Sequence, residues 1–253
     1  MRYEGRVAVV TGGGSGIGRA CALAFAREGA QVAIVDADAA GSAETARLIF
    51  EAGGEALLRV SDVAAPGSAD ADAAAVLEAY GRIDVLVTAA GRSTGGTLTS
   101  TAPADWTAVF RVNVDGTWLW MRAVLPAMQR ARRGAIVTLA SQLALAGGRG
   151  NSAYIASKGA VISLTRTAAL DYVADGIRIN AVAPGAIDTP MLARSFARAA
   201  DPEAARTRSR ERHAMKRFGR AEEVAAAVAY LARDDAGFVT GTVLPVDGGW
   251  LAA

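Results

Sequence analysis

The chain is poor in cysteine, histidine and lysine, and each shortage excludes a class of site. Cys21 is the single cysteine, so no disulfide can form within the chain. His213 is the single histidine, which excludes a metal centre built from several imidazoles, and we expect it on the surface or in a lid rather than in catalysis. Lys158 and Lys216 are the only lysines, so a motif that needs lysine has few ways to arise by accident.

Long apolar runs are also missing. No stretch reaches the roughly 18 consecutive apolar residues of a membrane helix, and the N-terminal MRYEGRVAVV has no apolar core of a secretion signal before it enters a strand. The 27 basic and 25 acidic residues nearly balance, so nothing indicates a nucleic-acid-binding surface. We therefore expect a cytoplasmic protein that acts on a small molecule, with no membrane or nucleic-acid partner and no bound metal.

Short β-rich runs alternate with longer alanine-rich segments along the chain. Most of the predicted strands are continuously apolar, as in strands covered on both faces, and they span residues 6–11, 31–36, 56–60, 83–88, 135–140, 177–182 and 242–246. The predicted helices span residues 16–28, 40–52, 68–80, 104–129, 152–173 and 221–233. This alternation implies a parallel sheet with right-handed crossovers and helices on both faces. Without a linker or repeat to divide it, we expect one domain over residues 1–253.

The segment at 186–220 interrupts this alternation, and we call it the lid segment. It follows a strand, and ligands of open α/β sheets bind at the carboxyl ends of strands, so an insertion there can cover a site. It carries Arg194, Arg198, Arg206, Arg208, Arg210 and Arg212. Each of them either faces a ligand or lies on a solvated surface helix, and the sequence leaves both readings open.

A glycine-rich turn, TGGGSGIG at residues 11–18, follows the first predicted strand. Its spacing is G-x₃-G-x-G rather than G-x-G-x-x-G, but the physics is shared. Glycine permits a tight strand-to-helix turn, and the positive end of the next helix presents backbone N–H groups to a pyrophosphate. Asp36 ends the second strand, where its carboxylate can bind the adenine ribose hydroxyls and repel a 2′-phosphate, or can simply cap the following segment. We predict a dinucleotide site that takes NAD rather than NADP.

Tyr154 and Lys158 lie four residues apart in a predicted helix, so their side chains share one face. An ammonium beside a phenol is expected to lower the phenol pKa, which is about 10 when unperturbed, towards the range of proton exchange. With five tyrosines and two lysines, chance gives this spacing at a rate of about 4%, so the pair alone is a hypothesis.

Seven short patterns, taken together, resemble the classical short-chain dehydrogenases/reductases. They are TGGGSGIG, Asp62, Asn113, Ser141, YIASK at 154–158, APG at 183–185 and DGG at 247–249. They occur in the family's order along the whole chain, and the gap of 13 residues between Ser141 and Tyr154 is typical of that family. The resemblance implies a Rossmann-like, doubly wound α/β fold with strand order 3-2-1-4-5-6-7, and a homotetramer. It also implies an NAD-dependent oxidoreductase that moves a hydride between a nicotinamide and a secondary alcohol or ketone.

The resemblance also assigns roles to single residues. Tyr154 is expected to be the general acid or base, and Ser141 to hydrogen-bond the substrate oxygen. Lys158 is expected to bind the nicotinamide ribose and tune Tyr154, and Asn113 to anchor a water that links Lys158 to solvent. The residues expected to bind the cofactor are Gly12, Ser15, Gly16, Ile17, Gly18, Asp36, Asp62, Val63, Ala90, Gly91, Tyr154, Lys158, Pro184, Gly185, Ile187 and Thr189. Asn180 is expected to be mainly structural.

The chain departs from the family after the fourth strand. Where the family often has Asn-Asn-Ala-Gly, this chain has Thr88-Ala89-Ala90-Gly91. The lost side-chain amides usually tie neighbouring strands together, and we expect Thr88 to replace part of that bonding.

The expected substrate pocket is polar rather than apolar. Its predicted residues are Arg92, Ser93, Gln142, Leu143, Arg149, Asn151, Ala186 and the lid residues 191–196. We therefore predict a sugar, a polyol or a hydroxy acid as substrate. The alternative is the reduction of a 3-oxoacyl thioester on an acyl carrier protein, a reading that prefers NADPH and that Asp36 opposes. A third reading, a dinucleotide sensor without activity, is expected to have lost the proton-transfer residues, which are all present here.

Overall fold

The computed structural model describes all 253 residues, and its seven strands form one parallel sheet. The strands are β1 (Val7–Thr11), β2 (Gln31–Asp36), β3 (Ala56–Val60), β4 (Val85–Thr88), β5 (Gly134–Leu139), β6 (Ile177–Pro184) and β7 (Val243–Val246). Their order across the sheet is β3-β2-β1-β4-β5-β6-β7, and every pairing is parallel. This confirms the predicted Rossmann-like fold. The order reverses between β1 and β4, so a crevice opens at their carboxyl ends, where such sheets bind ligands.

Ten α-helices connect or flank the strands. They are α1 (Gly16–Arg27), α2 (Ala39–Glu51), α3 (Ser68–Tyr80), α4 (Pro103–Phe110), α5 (Gly116–Ala131), α6 (Leu143–Ala146), α7 (Ser152–Tyr172), α8 (Pro190–Ala197), α9 (Pro202–Glu211) and α10 (Ala221–Ala232). The lid segment thus contains two helices, α8 and α9, neither of which has a buried residue. None of the ten combines the length and the apolar character needed to cross a lipid bilayer.

The prediction of one continuous helix over 104–129 is wrong. A π-helical stretch, Arg111–Asp115, separates α4 from α5. A π-helical turn inserts an extra residue into the helical ladder and often marks a functional site. Here it contains Asn113, whose side chain is fully buried beneath the crevice.

The core has two layers because neighbouring residues of a strand point to opposite faces of the sheet. In β1, Val7 and Val9 pack in the layer that includes α3, α5 and α7, whereas Ala8 and Val10 pack in the layer that includes α1 and α10. Both faces are therefore covered, which explains why the strands read as continuously apolar. Each fully buried Val or Leu contributes about 1.5–3 kcal/mol to folding. The two layers fix the strand ends on which the site is built.

Candidate active site

The glycine turn runs from β1 into α1 and is pressed against the loop after β4. A Cβ at Gly12, whose φ is +67°, would lie 2.6 Å from the backbone nitrogen of Ala90. A Cβ at Gly18 would lie 2.0 Å from the carbonyl oxygen of Gly12. Both distances are shorter than any side chain tolerates, so glycine is required for this turn to close.

The N-terminus of α1 offers several free hydrogen-bond donors. Ser15 is its N-cap residue, and no side chain caps the helix. The backbone N–H groups of residues 15–18 make no hydrogen bond within the chain. Unsatisfied donors at the positive end of a helix fit an anionic group such as a pyrophosphate. The predicted residues Ser15, Gly16, Ile17 and Gly18 therefore form a suitable cradle for a dinucleotide.

Asp36 lies at the end of β2, beside this turn. One carboxylate oxygen accepts a hydrogen bond from the Gly14 N–H at 2.9 Å, and the other accepts one from the Asp38 N–H at 3.0 Å. The helix α2 is capped by Asp38, whose side chain accepts from the Gly41 N–H. Asp36 is thus fixed in place without being the helix cap, and each of its oxygens keeps a lone pair for a ribose hydroxyl.

Two further residues expected to lie beside the adenine follow β3. The Asp62 carboxylate accepts from the Ala64 N–H at 2.9 Å and lies 3.6 Å from the Arg111 guanidinium. The Val63 side chain is buried in the core. The structure therefore holds both residues in place, and their contact with a cofactor stays a prediction.

Ser141, Tyr154 and Lys158 converge in one cleft at the carboxyl edge of the sheet. Ser141 comes two residues after the end of β5, and the other two lie one turn apart on α7. The Lys158 ammonium lies 5.8 Å from the centre of the Tyr154 ring and donates a hydrogen bond to the Leu139 carbonyl at 2.6 Å. The predicted proton-transfer groups thus share one space, with the lysine anchored to the last residue of β5.

Burial sets the pKa values of this pair. Desolvation raises the pKa of Tyr154 above its usual value, and interaction with the Ser141 hydroxyl lowers it in part. Desolvation also lowers the pKa of Lys158 to about 8. The expectation that the ammonium lowers the phenol pKa is therefore wrong for the chain by itself. Lys158 is buried and Tyr154 is half-buried, and removal from water disfavours the charged form of each.

Asn113 ties the loop after β4 to α7. Its side-chain oxygen accepts from the Arg92 N–H at 2.7 Å, and its amide nitrogen donates to the Arg92 carbonyl at 3.0 Å and to the Ser157 hydroxyl at 2.9 Å. Ser157 in turn donates to the Tyr154 carbonyl at 2.7 Å. No pattern in the sequence indicated that Ser157 forms this link. The water-anchoring role of Asn113 stays a prediction.

The cleft has a volume of about 850 Å³ and contains most of the residues expected to contact nicotinamide or substrate. Those lining it are Ile17, Gly91, Ser93, Ser141, Gln142, Leu143, Arg149, Asn151, Tyr154, Lys158, Pro184, Gly185, Ala186, Ile187, Thr189, Met191, Leu192, Ser195 and Phe196. Arg92 is not among them, because its side chain is exposed and only its backbone contacts Asn113. Asp36, Asp62 and Ala90 lie outside the cleft, in the direction of the glycine turn and β3.

His213 lies in the lid segment, one of the two expected places, but its side chain is buried rather than exposed. Only 2% of it is exposed. One ring nitrogen, Nε2, accepts a hydrogen bond from the Ala186 N–H at 3.2 Å, and the other, Nδ1, lies 2.9 Å from the Ser209 carbonyl oxygen. His213 therefore fastens the end of α9 to the loop that follows β6.

The expectation that Thr88 replaces the family's amide bonding is wrong. Its hydroxyl is buried without a hydrogen-bond partner. Thr11, at the end of β1, supplies the tie instead, since its hydroxyl oxygen accepts from the Ala90 N–H at 3.3 Å. Asn180 has the expected structural role: its side chain bonds the Val239 carbonyl and the Thr242 N–H.

Comparison with known proteins supports one family over almost the whole chain. Residues 12–251 match the family model described as Enoyl-(Acyl carrier protein) reductase. The chain is 44% identical over 251 residues to the 2-(R)-hydroxypropyl-CoM dehydrogenase of Xanthobacter autotrophicus, covering 98% of this chain and 99% of that one. It is 42% identical to the cis-4-hydroxycyclohexanecarboxylate dehydrogenase of Sinomonas cyclohexanicum, covering 99% and 98%. The crystal structure of an NAD⁺-bound xylitol dehydrogenase superposes with a TM-score of 0.95 at 32% identity, covering 98% and 100%.

Proposed function

Because the chain belongs to the short-chain dehydrogenase/reductase family of oxidoreductases, we propose that it interconverts a secondary alcohol and a ketone with NAD as the hydride carrier. The observation that carries this proposal is the meeting of Ser141, Tyr154 and Lys158 in one cleft beside the glycine turn. A protein that only sensed a dinucleotide would have no use for a shielded phenol and hydroxyl at that place.

The chain's own residues supply proton transfer and orientation. A bound nicotinamide supplies or accepts the hydride. The Tyr154 hydroxyl gives a proton to the ketone oxygen in reduction, a role that its raised pKa favours because the proton stays in place at neutral pH, and in oxidation the phenolate form takes the proton from the alcohol. The Ser141 hydroxyl donates to the same substrate oxygen. Lys158 uses one N–H on the Leu139 carbonyl, which leaves two donors for ribose hydroxyls.

The preference for NAD rests on the surroundings of Asp36. A 2′-phosphate would be repelled by this carboxylate and would need a cation in its place. The nearby Arg19 is held in another position, because its Nε atom bonds the Thr45 hydroxyl and its Nη2 atom bonds the Gly14 and Gly41 carbonyls. The NAD⁺-bound xylitol dehydrogenase supports the same choice.

The polar part of the cleft supports a hydroxylated substrate. The side-chain oxygen of Gln142 is buried without a hydrogen-bond partner, and Gln142 lines the cleft. If this amide turned towards the cleft, a substrate hydroxyl would satisfy the acceptor, whereas an apolar substrate would leave its desolvation uncompensated. A sugar, a polyol or a hydroxy acid therefore fits better than a steroid or a long-chain alcohol. The similar proteins named above act, by their names, on a polyol, a hydroxy-carboxylate and a hydroxypropyl thioether of CoM.

Two further parts of the proposal concern the lid segment and assembly. The lid segment covers the cleft, since residues of α8 and α9 line it. The homotetramer that the resemblance implies would cover apolar surface on α5 and α7, where Trp118 and Leu170 are exposed.

Initial rates with sugars, polyols and hydroxy acids, followed by NADH absorbance, test the proposal. We expect turnover with NAD⁺ to exceed turnover with NADP⁺, and Tyr154→Phe to lower kcat by about 10³-fold, since it removes only the proton carrier. Tyr172→Phe, at the other end of α7, is the matched control and should leave kcat unchanged. Binding of NAD⁺ without turnover of any substrate would favour the sensor, and full turnover by Tyr154→Phe would reject Tyr154 as the proton carrier. A preference for NADPH together with 3-oxoacyl thioesters would favour the reductase reading.

A further inference from the structure

We propose that the substrate carries an anionic group, and that Arg208 and Arg212 on the cleft-facing side of α9 bind it. The inference rests on the proposed function, because it concerns the same cleft. It narrows the substrate from polar hydroxylated molecules in general to those with a negative charge distant from the reacting carbon.

The cleft carries charge of one sign only. Among its lining residues there is no aspartate and no glutamate, although the chain has 25 acidic residues. Its cations are Arg149, Lys158, Arg198, Arg208 and Arg212. Lys158 lies deep in the cleft beside Tyr154, and the four arginines are exposed around the mouth. A concave surface lined by one sign of charge concentrates ligands of the opposite sign.

The arginines on the two faces of α9 differ in whether they have a carboxylate partner. Ala205, Arg208, Ser209 and Arg212 line the cleft, and their spacing of three, four and seven residues defines one helical face. Off this face, Arg206 lies 3.9 Å from Asp188 and Arg210 lies 3.6 Å from Glu211. Neither Arg208 nor Arg212 is in any ion pair within the chain. The arginines with a carboxylate partner thus point away from the cleft, and those without one point into it.

Contacts with aromatic and glycine residues support the guanidinium groups around the mouth. The Arg212 guanidinium lies over the Trp250 ring, 4.7 Å from its centre, and Trp250 also lines the cleft. Such stacking fixes the plane of the guanidinium while leaving its N–H groups free for a ligand. Arg198, at the end of α8, packs against Gly95, where a Cβ would come within 3.4 Å of its Nε atom. A planar fork with several donors suits a carboxylate, sulfonate or phosphate.

A purely structural reading explains only part of this pattern. Basic residues in the last turn of a helix stabilise its negative end, and Arg208, Arg210 and Arg212 all lie there. That effect does not depend on which face a residue occupies. It leaves unexplained why the two cleft-facing arginines lack partners and why the opposite walls of the cleft have no carboxylate.

The anionic group can come from two sources, a small hydroxy acid or the phosphates of a coenzyme A thioester. To separate them, we would measure KM with NAD⁺ for three- to six-carbon hydroxy acids, for their neutral amides and for the coenzyme A thioesters. The variant is Arg208→Gln/Arg212→Gln, and the matched control on the same helix is Arg210→Gln. A second readout, independent of turnover, is the rise in melting temperature on adding succinate in the presence of NAD⁺.

We expect the wild-type KM for the acid to lie at least about tenfold below that for its amide, as a charge-assisted hydrogen bond predicts. The double variant should bring the two KM values within about twofold of each other and abolish the succinate shift, whereas Arg210→Gln should change neither. Thioesters preferred over free acids, with the same dependence on the two arginines, would assign the anionic group to a phosphate and also support the inference.

Two outcomes separate a failure here from a failure of the proposed function. If the amides had the same KM values as the acids and succinate did not raise the melting temperature, the anion site would be rejected, whereas the proposed alcohol dehydrogenase activity would not. A succinate shift that needs Arg208 and Arg212, without turnover of any alcohol, would support the anion site and reject the proposed function.

Discussion

The two sides of the cleft hold their polar side chains in different ways. On one side, which we call the floor, Ser141 and Lys158 are buried at the ends of strands and on α7, and Asn113 beneath them is bonded through both ends of its amide. On the other side, the lid helices α8 and α9 have no buried residue, and the arginines that face the cleft are exposed.

This difference separates chemistry from recognition. Desolvation on the floor lowers the pKa of Lys158, and this shift weakens folding at neutral pH because the amine is held away from its preferred charged state. The pKa of Tyr154 is raised instead, so its phenol is uncharged at neutral pH whether the chain is folded or not. The lid loses no such stability, because its charged groups stay in water. We therefore expect substitutions on the floor to change kcat and stability, and substitutions on the lid to change KM.

The largest effect is expected for Lys158→Met on the floor. Loss of the ammonium should lower kcat by about 100-fold or more. It should also stabilise the fold by about 1–3 kcal/mol at neutral pH, since burial holds the pKa of Lys158 near 8 instead of 10.5. Between these two values the unfolded chain binds the proton more strongly, so the free energy of unfolding of the wild type should rise with pH over that window. Urea unfolding at several pH values measures this slope.

The chain offers one matched control for this prediction, its only other lysine. Lys216 is exposed, and Lys216→Met should leave both kcat and the pH slope as they are, with a stability change within about 0.5 kcal/mol. A Lys158→Met variant that is less stable than the wild type would contradict the contrast between floor and lid, because the Lys158 ammonium would then stabilise the fold instead of weakening it.

The fold was largely predictable because its signals are local. The strands at 31–36 and 56–60 have the predicted bounds. Each is an apolar run with polar or glycine residues beside it, and such a pattern limits where the strand can begin and end. The π-helical stretch around Asn113 was not predictable, because it changes one turn of a helix without changing the apolar pattern. The link from Asn113 to Ser157 depends on that stretch and was missed with it.

The sequence predicted which candidate side chains lie close together better than it predicted their pKa values. Spacing on α7 correctly predicts that Tyr154 and Lys158 share a face, but spacing does not report desolvation, so the sign of the phenol pKa shift was wrong. The burial of His213 was missed for a similar reason. Its partners are the Ser209 carbonyl and the Ala186 N–H, and backbone groups look the same in every sequence.

A smaller effect is expected for His213→Ala in the lid segment. The substitution removes the hydrogen bond from the Ala186 N–H and the contact with the Ser209 carbonyl, each worth about 1 kcal/mol. The end of α9 would then be held less firmly over the cleft. We expect KM to rise by about 5–10-fold with kcat within twofold, because only the binding side is loosened. Steady-state kinetics measure both constants.

Thr207→Ala is the control for the lid, because Thr207 is exposed on α9 and makes no side-chain hydrogen bond. It should change neither constant. A fall in kcat with unchanged KM in His213→Ala would show that the lid segment takes part in the chemistry, and the division between floor and lid would not hold.

The smallest effect is expected for two buried threonines of the sheet, whose substitution should change only the stability of the fold. Thr88 on β4 and Thr138 on β5 are register partners, and both are buried. Thr138 shares a hydrogen bond of 2.7 Å with the Thr165 hydroxyl, whereas the Thr88 hydroxyl has no partner. Thr88→Val should therefore stabilise the fold by about 1 kcal/mol, and Thr138→Val should destabilise it by a similar amount.

Urea midpoints at constant slope measure the two changes. Because valine has nearly the shape of threonine, opposite signs at these neighbouring positions isolate the hydroxyl from the effects of packing. Equal destabilisation at both would mean that the Thr88 hydroxyl finds a partner in solution. This part of the sheet would then have no unsatisfied hydroxyl, and the loss of stability expected on the floor would come from the desolvated Lys158 alone.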